Sequence, residues 1–187
     1  LTICSKECAE EILTSPKAKL LTHVVSIGEP GSEPPLGFQS DESDFEGHKL
    51  RLEFDDITAA GGWSAVMAGY QCPRPSDALA LITFFKRNVL VRPSPRVLIH
   101  CAQGISRSAA GGLTLLFMNY GEADRAAREL WALNPEGDTF HPNPLFIALL
   151  DEALQAGTEL IRAAGIYRLM TDNEESVIEA RRDEYGG

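Results

Sequence analysis

Cys101 and Arg107 lie with five residues between them in the run Val97-Leu98-Ile99-His100-Cys101-Ala102-Gln103-Gly104-Ile105-Ser106-Arg107-Ser108. A thiol and a guanidinium at that spacing can make a nucleophile beside an anion site. Aliphatic residues lead into His100 and Cys101 as a strand, a loop containing Gly104 follows, and Arg107 opens the apolar helical pattern of Ala109, Leu113, Leu116, Phe117 and Tyr120. Strand, tight loop and helix start, in that order, turn unpaired backbone N–H groups toward one point, where the helix dipole also favours negative charge. The same field favours the thiolate form of a cysteine, which is the form that attacks. A cysteine between a strand and a helix is otherwise a small buried hydrophobe. Gly104, Arg107 and Ser108 at fixed offsets set this one apart.

These residues need a framework, and the remaining chain reads as one. Leu1 to Ser5 is a short strand, Ser5 to Leu13 a helix with Ala9, Ile12 and Leu13 inward, and Thr22 to Ile27 a buried strand. Residues 28–48 hold Gly28, Pro30, Gly31, Pro34, Pro35, Gly37 and Gly47 among several acids and read as a long surface loop. His48 to Asp56 alternates into a third strand, with Leu50, Leu52 and Phe54 on one face. It ends on Asp55 and Asp56, residue types that also terminate strands and cap helices. Ile57 to Pro75 is a Gly- and Ala-rich segment carrying Trp63 and Tyr70. Ser76 is the predicted N-cap of a helix to about Val89, with Leu79, Ile82, Phe85 and Val89 on its apolar face, stopped by Pro93 and Pro95.

Arg96 to His100 is the strand that enters the central loop, and the helix behind the loop ends at Gly121. Further helices are predicted over Glu122 to Leu133, with Ala123, Ala126, Ala127, Leu130 and Trp131 on one face, from near Pro144 to Leu154, and over Thr158 to Met170. Strands that alternate with helices and then give way to helices predict an α/β fold in a single domain, a mostly parallel central sheet flanked by helices on both faces. That domain covers residues 1–170, and a charged tail, 171–187, is expected to be frayed or loosely helical.

Composition narrows the function. A chain of 187 residues with 44% apolar and 24% charged residues can bury its own core. Its net charge of −10 argues against nucleic acid and anionic membrane surfaces as partners, so an anionic substrate must be drawn by a local field. No apolar run approaches a membrane span of about 20 residues, and the first residues lack the basic-then-apolar order of a signal peptide. Four cysteines, Cys4, Cys8, Cys72 and Cys101, are too few for a disulfide framework, and a nucleophilic thiol needs a reducing compartment, so a cytoplasmic location is expected.

His100-Cys101-x-x-Gly104-x-x-Arg107-Ser108 resembles the active-site signature of the cysteine-dependent protein tyrosine phosphatases. Phe54-Asp55-Asp56, about 45 residues upstream at a strand end, matches in position the acid loop of compact members, and the helices between and after agree with the compact dual-specificity type. The resemblance implies a protein tyrosine phosphatase-like fold and hydrolysis of phosphomonoesters through a cysteinyl-phosphate, with no metal and no cofactor. Cys101 would be the nucleophile, and Arg107 with the backbone of Ala102, Gln103, Gly104, Ile105 and Ser106 would hold the phosphoryl oxygens. Ser108 would steady the departing thiolate and His100 would hold the loop. One carboxyl must protonate the leaving oxygen; the family register favours Asp56, with Asp55 or another carboxylate as alternatives. Phosphotyrosine in a phosphoprotein or phosphopeptide is the expected substrate, with phosphoserine and phosphothreonine open. A phosphoprotein-binding module without turnover and an inositol or lipid phosphatase are the alternatives. The loop between Cys101 and Arg107 carries no Lys or Arg to meet extra phosphates, which disfavours the latter.

Other residues have two readings each. Cys72 is a plain thiol or a redox partner of Cys101, and Cys4 and Cys8 would face one another on successive turns if the helix began early, but two ligands are too few for zinc. Arg74, Lys86, Arg87, Arg92 and Arg96 steer an acidic substrate or form an ordinary solvated face. Asn143 and Pro144 fit a helix start and need no catalytic role. Trp63 and Tyr70 are candidate specificity contacts beside the pocket.

Overall fold

The computed structural model describes residues 1–39, 45–58, 62–134 and 140–185, with backbone alone at 62–63 and 173–185. Four strands, β1 (Thr2–Cys4), β2 (His23–Gly28), β3 (His48–Glu53) and β4 (Val97–His100), form one sheet in the order β1-β4-β2-β3. All three pairings are parallel, with Cys4 opposite His100, Ser26 opposite His100 and Gly28 opposite Glu53. Parallel strands with every residue of β2 and β4 buried require cover on both faces, and both are covered.

Alternation along the strands assigns the two cores. Val24 and Leu98 pack on one face against Ala9 and Leu13 of α1 (Lys6–Leu13), Ala18 of a 3-10 turn (Pro16–Leu20), and Phe38 and Phe45 from the β2–β3 connection. Val25, Ile27, Val97 and Ile99 face the larger core on the other side. That core is built by α3 (Pro75–Phe84), α4 (Arg107–Tyr120), α5 (Ala123–Ala132), α6 (Pro144–Leu154) and α7 (Glu159–Tyr185). The expected α/β arrangement is the observed one.

Several boundaries differ for local reasons. The helix expected to be capped by Ser76 starts earlier, because Pro75 takes the first helical position and the Asp77 carboxylate accepts the Arg74 backbone N–H at 2.8 Å. Its buried face is Ala78, Leu81 and Ile82; Leu79, expected inward, is 58% exposed. From Phe85 to Val89 the helix loosens into a π turn, closed by Leu90 N–H donating to Phe85 C=O at 3.0 Å, which keeps Phe85 and Val89 buried. The segment after Asp56, read as loop, contains a short helix, α2 (Gly62–Met67). Gly121 ends α4 in the left-handed conformation at φ 74°, as a C-terminal glycine does. Buried Asp151 of α6 accepts the N–H groups of Thr158 and Leu160, both at 2.9 Å, and so fixes the start of α7. That helix runs unbroken to Tyr185, across the position at which the charged tail was expected to begin. Among the described residues, no helix is long and apolar enough to cross a membrane.

Candidate active site

Because the sheet is parallel, the carboxyl ends of all four strands lie at one end, and each delivers a residue there. β4 delivers Cys101, β3 runs out through Phe54 to Asp55 and Asp56, β2 delivers Glu29, and β1 delivers Cys4 and Ser5. The loop from Ala102 to Ser106 sits among them, clamped from both sides. Lys6 N–H donates to Ala102 C=O at 3.1 Å, His141 N–H to Ile105 C=O at 3.0 Å and Asn143 N–H to Ser106 C=O at 3.2 Å. Gly104 adopts φ 78°, and a Cβ there would overlap the backbone of Cys4 and Ser5, so glycine is required for its conformation and for the close approach. With those carbonyls bonded outward, no amide of residues 102–107 donates to a backbone carbonyl among the described residues. These amides are the donors a bound anion would use.

Cys101 is buried, and its Sγ lies 3.1 Å from Ser108 Oγ. Arg107 is 2% exposed and tied on its outer side, with one Nη donating to Phe54 C=O at 2.8 Å and the other to Glu29 Oε1 at 2.5 Å. Its Nε is buried, has no hydrogen-bond partner among the described residues, and lies 3.8 Å from Asp56 Oδ2. A buried guanidinium N–H left unpaired is costly unless a ligand takes it, and a phosphoryl oxygen suits that donor.

Asp55 and Asp56 diverge. The Asp56 side chain is 37% exposed, and its Oδ1 accepts Ser106 Oγ–H and Asn143 Nδ2–H, both at 2.7 Å, so the carboxyl is fixed beside the loop. Asp55 is turned to the next segment, its N–H donating to Gln71 C=O at 2.8 Å and its Oδ2 accepting Gln71 N–H at 2.7 Å. The structure thus brings Cys101, Arg107, Ser108 and Asp56 together and leaves Asp55 to anchor the segment carrying α2. Tyr70 in that segment is exposed; the Trp63 side chain lies outside the described residues.

His100 is buried, its Nδ1 3.4 Å from Cys101 C=O and its Nε2 without a hydrogen-bond partner among the described residues. Burial, reinforced by Arg51, Lys6 and Arg107, lowers its pKa to about 4 despite that backbone contact, so the ring is neutral near pH 7.

Two residues escaped the sequence reading. Glu29 lies in the segment taken as plain surface loop, yet it is the first residue past β2, at the same sheet end as Cys101. Partial burial works to raise its carboxyl, and the hydrogen bond and charge of Arg107 outweigh that and hold it below the usual carboxylate range. Arg51, whose charge also lowers that carboxyl, donates to Ser26 Oγ at 2.8 Å and Ser32 C=O at 2.7 Å, tying β3 to β2 and to the segment just past Glu29. Asn143, assigned only to a helix start, does cap α6, its Oδ1 accepting Phe146 N–H at 2.9 Å. Its Nδ2 also reaches Asp56 and, at 3.1 Å, Ile57 C=O. The signal available was the Asn-Pro pair itself, which puts a short amide at a fixed helix start.

The remaining thiols and cations sit differently. Burial, then the neighbouring thiols of Cys8 and Cys101, push the Cys4 thiol up. Among the described residues no group of three or more His, Cys, Asp or Glu could hold a metal ion. Arg92 and Arg96 lie at the amino end of the sheet, opposite the Cys101 loop, where Arg96 N–H donates to Thr22 Oγ1 at 2.8 Å. Arg74 is engaged with Asp77 at 3.2 Å.

No protein-family model matches the sequence, and no curated protein matches it significantly. Solved structures do share the fold. The structure of DUSP15 matches with a TM-score of 0.54 at 19% identity, over 91% of this chain and 89% of that one. The active form of Tk-PTP matches with a TM-score of 0.51 at 22% identity, over 82% of this chain and 88% of that one. The chain therefore has the fold of the compact dual-specificity type of protein tyrosine phosphatase.

Proposed function

We propose that this protein is a cysteine-dependent phosphatase that hydrolyses phosphomonoesters of proteins, phosphotyrosine first among them. The observation that carries the reading is the meeting of Cys101, Arg107 and Asp56 around one loop, held by hydrogen bonds from three separate segments. The Cys101 thiolate attacks phosphorus, the bond to the ester oxygen breaks, and the protonated Asp56 carboxyl gives its proton to the leaving oxygen. Arg107 Nε–H and the loop amides hold the phosphoryl oxygens as charge builds on them. The Asp56 carboxylate then takes a proton from water, the water oxygen attacks phosphorus, and the P–S bond breaks to release inorganic phosphate. Ser108 Oγ–H donates to the departing thiolate from 3.1 Å. A reducing, cytoplasmic setting suits this thiol chemistry.

A small aryl phosphate tests the reading. Reduced protein is expected to turn it over in the presence of chelator, and Cys101→Ser to fall to the background rate. Absence of turnover with phosphopeptide binding retained would overturn the reading and make the fold a binding module.

A further inference from the structure

Beside the phosphate loop, between α6 and α7, lies a cavity of about 530 Å³. Its floor is apolar, formed by the buried side chains of Phe140, Ile147 and Tyr167. Ile161, 44% exposed, Ala164 and Gly165 form its α7 wall. Two residues connect it to the candidate active site. Ser106 lines the cavity, immediately precedes Arg107 and donates to Asp56; Thr58 lines it two residues past Asp56. The cavity mouth thus begins where the phosphate loop and the acid loop end.

We propose that this cavity is a specificity subsite that takes a large apolar side chain, leucine or phenylalanine in kind, flanking the phosphorylated residue of a protein substrate. The proposal rests on the phosphatase reading and names the substrate it prefers. Continuity with the loop selects the occupant. A chain whose phosphoryl group sits over Cys101 advances at most about 3.6 Å per residue, so a side chain within a few positions reaches a mouth bounded by Ser106. Chemistry selects its class, because a floor of Phe140, Ile147 and Tyr167 rewards apolar burial, whereas the charged residues of the lining, Arg168 and Asp172, lie 3.8 Å from each other with side chains 81% and 58% exposed. Gly165 widens the space. A Cβ built on it meets no atom within 4 Å, so this helical position has room for a side chain yet carries none. Such a glycine costs a helix roughly 0.5–1 kcal/mol relative to alanine.

The test uses phosphotyrosyl peptides that differ only in Leu, Phe or Ala at single positions flanking the phosphotyrosine, with a small aryl phosphate assayed in parallel. At one or more positions, kcat/KM is expected to favour Leu or Phe over Ala by about tenfold or more. Gly165→Phe, which fills the cavity, and Ile161→Glu, which charges its mouth, are each expected to bring that ratio close to one. The ratio between peptides cancels any general change in activity, and either variant suffices if the other folds poorly. Aryl phosphate turnover without a preference at any position, or a preference that both variants preserve, overturns the subsite alone. Failure to turn over the aryl phosphate overturns the phosphatase reading and the subsite with it.

Discussion

Asp55 and Asp56 are neighbours of identical chemistry, and only their partners separate them. Asp56 is held by Ser106 and Asn143 at the edge of the loop between Cys101 and Arg107, whereas Asp55 exchanges hydrogen bonds with the Gln71 backbone. If Asp56 donates the proton, Asp56→Asn will lower kcat on alkyl or unactivated phenyl phosphates by about 10²–10⁴-fold, as loss of a general acid does, and far less on nitrophenyl phosphate. Asp55→Asn is expected to stay near wild type on both. A leaving-group series on the two variants checks this, and the opposite assignment follows if Asp55→Asn alone loses turnover on the poor leaving groups. Spacing made Cys101 and Arg107 legible in the sequence, since both lie on one short loop whose geometry the chain order dictates. It could not separate the two aspartates, because the partners that do so are up to 87 residues away. Glu29 was hidden for the same reason: its partner, Arg107, is 78 residues along the chain.

Asn143 joins two elements to the candidate site at once. Its Oδ1 caps α6, while its Nδ2 donates to Asp56 and Ile57. Asn143→Ala is expected to lower stability by about 1 kcal/mol through the lost cap, more where the buried space fails to close, and also to lower turnover of poor leaving groups. Asn143→Ser separates these contributions, because serine caps about as well as asparagine but has no amide to reach Asp56. It should restore much of the stability without restoring the rate, as denaturant melts and kinetics on one preparation would show. Full recovery of the rate in the serine variant would reduce Asn143 to a cap. At this scale, buried elements were the legible ones. β2, β4 and α4 announce themselves by apolar periodicity and by Gly121. The start of α3 did not, because Pro75 and the Asp77–Arg74 contact override the serine signal at position 76. Leu79 sits outward because the Ala78, Leu81 and Ile82 stripe, not every apolar residue, meets the sheet.

A molecule of net charge −10 that is to bind an anion needs cations close to the site, and the carboxyl end of the sheet gathers Lys6, Arg51 and Arg107 there beside the carboxylates of Glu29 and Asp56. Arg51, Lys6 and Arg107 all act on His100 there, and Arg107 is held by Glu29 and the Phe54 carbonyl rather than lost to solvent. Composition could not reveal this, since only the parallel topology gathers these residues from four chain segments. The burial of His100 among these groups has a global consequence. Burial and those cations hold His100 at a pKa of about 4, below its ordinary value of 6.5, so the folded protein keeps the ring neutral while the unfolded chain takes up a proton as pH falls. The resulting stabilisation is complete above pH 6.5 and is lost progressively toward pH 4. By pH 5 the loss from this one group amounts to about 2 kcal/mol. His23, whose pKa is also lowered by burial, acts in the same direction, so the decisive quantity is the difference between the wild type and a His100→Asn variant. Denaturant unfolding between pH 7 and pH 5 should give a shallower pH dependence for the variant by about that amount, whatever its absolute stability. Parallel pH dependences would mean that His100 takes up its proton as readily in the folded state as in the unfolded chain, and that neither burial nor those cations keep it neutral.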